Sequence, residues 1–175
     1  KQYAFIGFDE LTHFEASQFW YMVSRARSVS GVRPYIRATC NPDPCSFVRD
    51  LVDWWIGDDG LPIPERSGVL RWFIREGDSL IWGATRDELL MRCRPGQEPL
   101  SLTFVLSRLE DNPALTSKDP GYRTKLEALP EVERMRLLGG NWDVKPEGGK
   151  YIEEPYFERR WTEQPRHVNI YICSD

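Results

Sequence analysis

Cysteine and histidine are scarce in this sequence of 175 residues, which holds four cysteines and two histidines. No C-x-x-C pair and no Cys/His zinc spacing occurs among Cys40, Cys45, Cys93 and Cys173. A structural zinc site of that kind is therefore excluded. Reduced thiols are the simplest interpretation of the four cysteines, and they are typical of a cytosolic protein.

Long hydrophobic runs are also missing. No apolar stretch approaches the roughly 20 residues of a membrane-spanning helix, and the opening residues carry no signal-peptide pattern. We therefore expect a protein that is neither embedded in a membrane nor secreted.

An excess of positive charge is absent as well, since 23 Lys and Arg stand against 27 Asp and Glu, a formal net charge of −4. The field of the whole chain therefore does not predict nucleic-acid binding, although a locally basic face stays open. The composition, 41% hydrophobic and 29% charged, is that of a soluble globular protein. Its length suffices for one domain, or for one domain and part of another.

The phosphate-binding loop G-x-x-x-x-G-K-[ST] does not occur anywhere in the sequence. Gly149 and Lys150 come nearest to it, but Tyr151 follows them and the earlier glycine is missing at the required spacing. Nothing in these residues is therefore expected to cradle the phosphates of a nucleotide.

The most informative stretch that is present is Lys1–Glu10, KQYAFIGFDE. Tyr3–Phe8 is an apolar run that predicts a buried strand, and it ends on Asp9 and Glu10. In P-loop ATPases an Asp at the end of such a strand helps to hold Mg²⁺ on the nucleotide phosphates. The Glu that follows can polarise the attacking water. The alternative is a strand that ends in an ordinary solvated turn.

A second strand is predicted beside the first. The pattern indicates a helix over Glu15–Ser28, a strand over Tyr35–Cys40 that Pro42 ends, and a helix over Ser46–Ile56. Alternating strands and helices predict a parallel α/β sheet, in which the carboxyl ends of the strands share one edge. We therefore expect one crevice to hold the side chains that end the two strands, Asp9, Glu10, Thr39 and Asn41.

Past Gly57 the predicted elements change to a turn-rich loop, a β-hairpin and short helices. The hairpin pairs Val69–Arg75 with Ser79–Gly83. The elements predicted after it are a short helix over Thr85–Cys93, a strand over Leu100–Leu106, a turn at Asp111-Asn112-Pro113, and helices over Tyr122–Leu129 and Pro130–Leu138. Lys145–Lys150 has the composition of a linker.

Together these motifs resemble the large subunit of tailed-phage terminases, the DNA-packaging motor. Phe5–Glu10 resembles the Walker B strand of that family, and Ala38–Pro42, ATCNP, resembles its coupling motif. Further segments match in the right order, namely Ser24–Arg27, the hairpin Leu70–Trp82, Ser101–Phe104, Asp111-Asn112-Pro113 and the stretch from Tyr122 to Trp142. The resemblance covers nearly the whole chain, and its strength lies in the ordered set.

The resemblance implies an α/β fold with two parts. Residues 1–145 would be the C-terminal part of a P-loop ATPase domain of the ASCE type, with a parallel sheet, an inserted β-hairpin and the lid or linker subdomain. Residues 146–175 would be a linker and the first strand of an RNase H-like nuclease domain. The chain begins and ends within predicted strands, and we expect it to be a fragment of a longer protein that carries the phosphate loop.

The resemblance also implies roles for the residues at the two strand ends. Asp9 would coordinate the Mg²⁺ that accompanies ATP, and Glu10 would be the catalytic carboxylate. Thr39 and Asn41 would sense the γ-phosphate and couple hydrolysis to motion. The alternative for Asn41 is a turn-forming residue before proline.

Several residues outside the crevice also receive candidate roles. Asp175 would be the first metal-binding carboxylate of the nuclease domain, with Mg²⁺ or Mn²⁺ as the metal. Arg25 and Arg27 are candidate phosphate contacts, in their own subunit or a neighbouring one, or else a solvated helix end. Several tryptophans either stack on bases or, as is more common, belong to the core: Trp54, Trp55, Trp72 and Trp82.

The function implied is ATP hydrolysis with Mg²⁺ that drives double-stranded DNA into a procapsid, together with metal-dependent DNA cleavage by the nuclease domain. The implied partners are double-stranded DNA, the portal protein and the small terminase subunit, in a homo-oligomeric ring in the host cytoplasm. Without a phosphate loop, we expect these 175 residues alone to be inactive. Two alternatives stay open, a helicase-like P-loop motor without a nuclease and a non-catalytic α/β interaction module.

One residue departs from the pattern of the family. Asn141 stands where that family usually has Asp in a Gly-Asp-Trp run. The sequence by itself offers no interpretation of this change.

Overall fold

Two small sheets organise residues 1–145, the part of the chain that this computed structural model describes. These residues hold five strands and six short α-helices in one compact unit. The predicted strand over residues 168–174, the candidate ligand Asp175 and nearly all of the predicted linker lie outside the described residues.

The first sheet is a parallel pair, as the sequence predicts. Strand β1, Phe5–Phe8, pairs with β2, Tyr35–Ala38, so that Phe8 lies opposite Ala38. Side chains alternate along β1, because Ile6 and Phe8 are buried whereas Phe5 is exposed. The parallel pairing confirms that both strands end at the same edge.

Helix α1, Ala16–Val23, crosses over between these strands and ends before the predicted limit of Ser28. The reason is a competing pairing, since Ala26 forms a parallel bridge with Tyr3. The backbone N–H of Tyr3 donates to the Arg25 carbonyl at 3.1 Å, and that of Arg27 donates to the Tyr3 carbonyl at 3.0 Å. Sheet pairing beside β1 thus replaces the last predicted turns of the helix.

Helix α2, Phe47–Val52, begins at Ser46, whose hydroxyl oxygen accepts a hydrogen bond from the N–H of Val48 at 3.3 Å. The 3₁₀ turn Asp53–Trp55 follows it directly, so the predicted helix is present with a tightened last turn. Further 3₁₀ turns lie at Leu11–His13 and Pro64–Arg66, where loops are predicted.

The second sheet contains the predicted hairpin. Its central strand β3, Leu70–Glu76, pairs antiparallel with β4, Ser79–Gly83, and with β5, Leu100–Thr103. Helix α3, Arg86–Leu90, packs on this sheet and places Leu89, which is 1% exposed, near β3 and β4. The strand and helix predicted in this region are both present and shorter than expected.

Three helices follow β5: α4, Pro113–Lys118, α5, Tyr122–Glu127, and α6, Glu131–Leu137. The last two confirm the prediction. Helix α4 was predicted only as a turn, because Asp111-Asn112-Pro113 has turn composition. In the structure Asn112 caps the helix by accepting a hydrogen bond from the N–H of Leu115, and Pro113 occupies its first turn.

One apolar core joins the parallel sheet to the end of the described chain. It includes Phe8, Phe19, Leu51 and Trp55, and Trp142 enters it from beyond α6. Trp55 is fully buried, so for this tryptophan the core interpretation is confirmed. Trp54 is half-buried, and the guanidinium groups of Arg66 and Arg71 both lie against its ring. None of the helices in residues 1–145 has the length and hydropathy needed to cross a membrane.

Candidate functional site

Four polar side chains meet where β1 and β2 end. The Thr39 hydroxyl donates to Oδ1 of Asp9 at 2.7 Å, and the Asn41 amide donates to Oε1 and Oε2 of Glu10 at 3.1 and 3.2 Å. These contacts join residues about 30 positions apart in the sequence. The parallel register thus brings together the two pairs of residues that the sequence analysis expects in one crevice.

The backbone at Glu10 adopts a left-handed conformation, with φ 53° and ψ 59°. Glu10 is the one residue other than glycine with a positive φ in the described part of the chain. Such a conformation is uncommon outside glycine and asparagine, and it persists where surrounding contacts over-determine it. The Glu10 N–H lies 3.3 Å from the Thr39 hydroxyl oxygen, and the Leu11 N–H donates to the Thr39 carbonyl at 2.8 Å.

This turn aims the Glu10 side chain at the second strand end. The N–H of Asn41 adds a third contact, at 3.4 Å from Oε2 of Glu10. Asn41 therefore does more than form a turn before proline, because its amide engages both oxygens of the carboxylate. The backbone conformation and the amide together fix the position of Glu10.

A cleft of about 410 Å³ opens beside Glu10. One wall comes from the strand-end region and the other from helix α6. The residues that line it are Glu10, Thr12, His13, Asn41, Glu133, Arg136 and Leu137. The cleft gives the Glu10 carboxylate access to solvent, as a group that polarises water requires.

Arg136 connects the two walls of the cleft. Its Nε donates to the carbonyl oxygen of Pro42 at 2.8 Å, and its Nη2 lies 3.4 Å from Oδ2 of Asp43. Sequence reasoning did not single out this arginine, because 94 positions separate it from Pro42 and nothing in the local pattern signals the contact.

Cys40 lies between Thr39 and Asn41 and is half-buried. Burial, and to a smaller extent the negative charge of Glu10, raises the pKa of its thiol to about 11. The thiol is therefore neutral at physiological pH, which disfavours a role as nucleophile or metal ligand.

Asp9 has the chemistry of a Mg²⁺ ligand. Its carboxylate is exposed at the strand end, and the Thr39 hydroxyl holds one of its oxygens. Hard cations prefer carboxylate oxygens and commonly use only one or two of them, with phosphates and water as the remaining ligands. Residues 1–145 hold no cluster of three or more His, Cys, Asp or Glu able to bind a metal by themselves. A cation bound to Asp9 would therefore need ligands beyond a protein cluster of that kind.

The structure does not bring Arg25 and Arg27 to this edge. Arg25 and Arg27 flank Tyr3 at the opposite end of β1, six residues or roughly 20 Å of strand from Asp9. The Arg25 guanidinium donates to the Tyr21 hydroxyl at 2.9 Å and lies over its ring at 4.8 Å.

Asn141 lies in the segment that returns from α6 to the core. Its Nδ2 donates to the Asp59 carbonyl at 3.0 Å, whereas its Oδ1 accepts from the N–H groups of Asp143 and Val144 at 2.9 and 3.1 Å. An amide can donate and accept at the same time, whereas a carboxylate only accepts. The local hydrogen bonds therefore explain why Asn fits this position.

The comparisons with known proteins agree with the sequence and the geometry. The family model described as "Terminase large subunit, T4likevirus-type, N-terminal" matches residues 1–159. The comparison with curated proteins and the comparison with solved structures gave no match. Because the family model spans most of the chain, the chain belongs to the terminase large subunit family, which acts in phage DNA packaging.

Proposed function

We propose that the residues at the ends of β1 and β2 form the hydrolytic centre of an ATP-driven motor that moves double-stranded DNA into a procapsid. The observation that carries the proposal is the pair of contacts from Thr39 to Asp9 and from Asn41 to Glu10. Phosphoryl transfer needs positioned charges and no covalent nucleophile. Two carboxylates, a hydroxyl and an amide in fixed positions meet that need.

Glu10 is the proposed general base. Its carboxylate lines the open cleft, where it can accept a proton from, or polarise, an attacking water. In the described conformation both of its oxygens accept hydrogen bonds from Asn41. Because Oε1 accepts one hydrogen bond and keeps a second lone pair for water, Asn41 would orient Glu10 and so influence how well it acts.

Asp9 is the proposed ligand for Mg²⁺, and Thr39 orients it through the 2.7 Å hydrogen bond. When bound, Mg²⁺ would offset the negative charge of the β- and γ-phosphates. Because Thr39 also contacts the backbone of Glu10, its hydroxyl is shared by both carboxylate residues. A shift of Thr39 on phosphate binding would therefore change the positions of both Asp9 and Glu10.

The assignment to the P-loop ASCE class is part of this proposal. Phe5 and Tyr35 are 51% and 49% exposed on the face of the parallel pair opposite to Ile6 and Phe8. Parallel sheets are normally covered on both faces, so this face suits further polypeptide of an ATPase domain. The phosphate loop would belong to that polypeptide, because residues 1–175 do not contain it.

The proposal extends to the rest of the motor. Residues 1–145 would belong to the ATPase domain, and residues 146–175 would lead into a metal-dependent nuclease domain with Asp175 as a ligand. The portal protein, the small terminase subunit and a homo-oligomeric ring would complete the assembly. Arg25 and Arg27, at the far end of β1, suit contact with a neighbouring subunit better than contact with this site. The family match favours this motor over a helicase-like one.

The experiment that tests the proposal is ATP hydrolysis by the intact terminase subunit carrying Glu10→Gln. We expect kcat to fall about 100-fold or more, with nucleotide affinity changed by less than about threefold, since only the general base is lost. Glu133→Gln is the matched control, because Glu133 lines the same cleft from α6. Normal turnover by Glu10→Gln, or an equal loss in both variants, would refute the proposal and favour a non-catalytic module.

A further inference from the structure

Helix α6 is joined through the side chain of Arg136 to the two residues that follow Asn41. We propose that Arg136 is a positioning residue that links α6 to the loop carrying Asn41, so that movement of α6 sets the engagement of Glu10. This inference rests on the proposed function of Glu10 and Asn41. The inference adds a residue from a distant element. Within residues 1–145, the Arg136 side chain makes no hydrogen bond to the carboxylate of Asp9 or Glu10.

The contact of Arg136 is specific in its geometry. Nε donates to the Pro42 carbonyl at 2.8 Å and Nη2 faces the Asp43 carboxylate at 3.4 Å, so two donors of one planar group hold two consecutive residues. The Arg136 and Asp43 side chains are 26% and 31% exposed. Such partial burial distinguishes this pair from the freely solvated ion pairs whose contribution is small.

The residues that Arg136 holds follow Asn41 directly in the sequence. Pro42 has a fixed φ, which makes the link from residue 42 to Asn41 stiff. Asp43 stabilises the next turn, because its Oδ1 accepts from the Cys45 N–H at 3.0 Å and its carbonyl accepts from the Ser46 N–H at 3.2 Å. A displacement of Pro42 is therefore passed to Asn41 rather than absorbed within the loop.

Helix α6 is in turn held at its C-terminal end. The chain after it turns at Gly140, φ 70°, and enters the core at Trp142, which is 2% exposed. The Trp142 N–H donates to the Gly60 carbonyl at 2.8 Å. Arg136 lies in the last turn of α6, close to this anchor, so it joins a fixed part of the helix to the loop.

Helix α6 also forms a wall of the cleft that Glu10 faces. A ligand that widens or narrows the cleft must move α6 relative to the strand ends, and the Arg136 contact lies on that path. A change in the width of the cleft would therefore change the hydrogen bonds that hold the general base. The path runs from Arg136 through Pro42 and Asn41 to Glu10.

The test compares Arg136→Ala with Arg134→Ala in the intact terminase subunit, with ATP and Mg²⁺. Arg134 is on the same helix and exposed, and within residues 1–145 its side chain makes no hydrogen bond or ion pair. Both variants remove one positive charge from α6. We expect Arg136→Ala to lower kcat about tenfold with KM changed by less than about twofold, and Arg134→Ala to leave both unchanged.

A second measurement separates positioning from general stabilisation. Arg136→Lys keeps the charge but loses the planar group that holds Pro42 and Asp43 together, and we expect it to retain the reduced kcat. Asp43→Asn combined with Arg136→Ala should lower kcat by less than the product of the two single effects, because the two residues act through one contact.

Wild-type kcat in Arg136→Ala, or full rescue by Arg136→Lys, would overturn the inference. So would equal losses of kcat in Arg136→Ala and Arg134→Ala. Glu10→Gln, measured in parallel, keeps the two proposals separate. Normal turnover by Glu10→Gln refutes the proposed function. Loss of turnover by Glu10→Gln together with a normal Arg136→Ala refutes only the link through α6.

Discussion

The two sheets of this molecule differ in what they contribute. The parallel pair β1–β2 joins distant segments and places exposed polar side chains at its edge, with the backbone of Glu10 in a left-handed conformation. The antiparallel sheet forms largely from one hairpin, and it buries Phe73 and Ile74 to 4% and 2% exposure. The first sheet presents the candidate site on a short, locally strained frame and also contributes Ile6 and Phe8 to the core, whereas the second sheet contributes packing alone.

This difference indicates that the strand-end residues of the proposed hydrolytic centre are largely separate from the buried residues that stabilise the fold. The strand-end residues make hydrogen bonds near solvent, each worth about 1 kcal/mol of net stability. Buried side chains such as Ile74 contribute several times as much. Substitutions in one region should therefore change turnover, and substitutions in the other should change the free energy of unfolding.

The largest expected effect on stability comes from the antiparallel sheet. Ile74→Ala should lower the free energy of unfolding by about 2–5 kcal/mol, because it leaves a cavity in place of a side chain that is 2% exposed. Leu70→Ala, on the same strand and 46% exposed, is the control and should cost about 1 kcal/mol or less. Urea unfolding measures both. Equal costs would mean that the Ile74 side chain is not closely packed.

The next effect concerns the glycine that holds the end of the described chain. Gly60 has φ +75°, and a Cβ there would lie 2.5 Å from Oδ1 of Asn141. Gly60→Ala should cost about 3 kcal/mol, from both the backbone strain and the overlap. Gly68→Ala has the same kind of φ, +78°, with nothing within 4 Å, and should cost about 1 kcal/mol. A similar cost for both variants in urea unfolding would contradict the close approach to Asn141.

A smaller effect is expected for Asn141→Asp, which restores the residue usual in the family. The variant loses the donor to the Asp59 carbonyl while it keeps an acceptor for Asp143 and Val144. We expect a loss of about 1–2 kcal/mol at neutral pH in urea unfolding. Asn141→Ala, which removes donor and acceptor, should cost more than Asn141→Asp. Unchanged or raised stability in Asn141→Asp would contradict the role given to the amide.

The smallest effect is a dependence of stability on pH. The hydrogen bonds from Arg49, at 2.6 and 3.1 Å, lower the pKa of Asp143 below its usual value. The contribution of this pair to stability is therefore present above the usual Asp pKa of about 4 and is lost as pH falls through the lowered value. Between about pH 5 and pH 2, the free energy of unfolding should decline less in Arg49→Met than in the wild type as the pH falls. An equal decline in both proteins would contradict the contribution given to the pair of Arg49 and Asp143.

Much of the fold follows from the sequence because local patterns decide it. The apolar run at Tyr3–Phe8, the hairpin and helices α5 and α6 have periodicity and turn residues that agree with their tertiary contacts. Helix α1 is shorter than the sequence predicts, and the cause is tertiary, since pairing of Ala26 with Tyr3 overrides helix propensity. Helix α4 was missed because Asn112-Pro113 suits both a turn and a helix cap.

The site could be predicted in part. The parallel-sheet rule brings Asp9 and Glu10 to Thr39 and Asn41, and the structure places them in contact. The left-handed backbone of Glu10 could not be predicted, because glutamate disfavours it and contacts with residues distant in the sequence, Thr39 among them, accompany it. Arg136 could not be found either, since its contact depends on how α6 packs.

The most direct test of the central claim is the Mg²⁺ dependence of ATP hydrolysis by Asp9→Asn in the intact terminase subunit. Asp9 and Glu10 are adjacent in the sequence, yet their proposed roles differ. Asp9 is the proposed metal ligand, and Glu10 is the proposed general base. Asp9→Asn should raise the Mg²⁺ concentration for half-maximal rate about tenfold or more, because one charged ligand is lost. A Mg²⁺ dependence and a rate equal to those of the wild type would contradict the assignment of the strand ends as the hydrolytic centre.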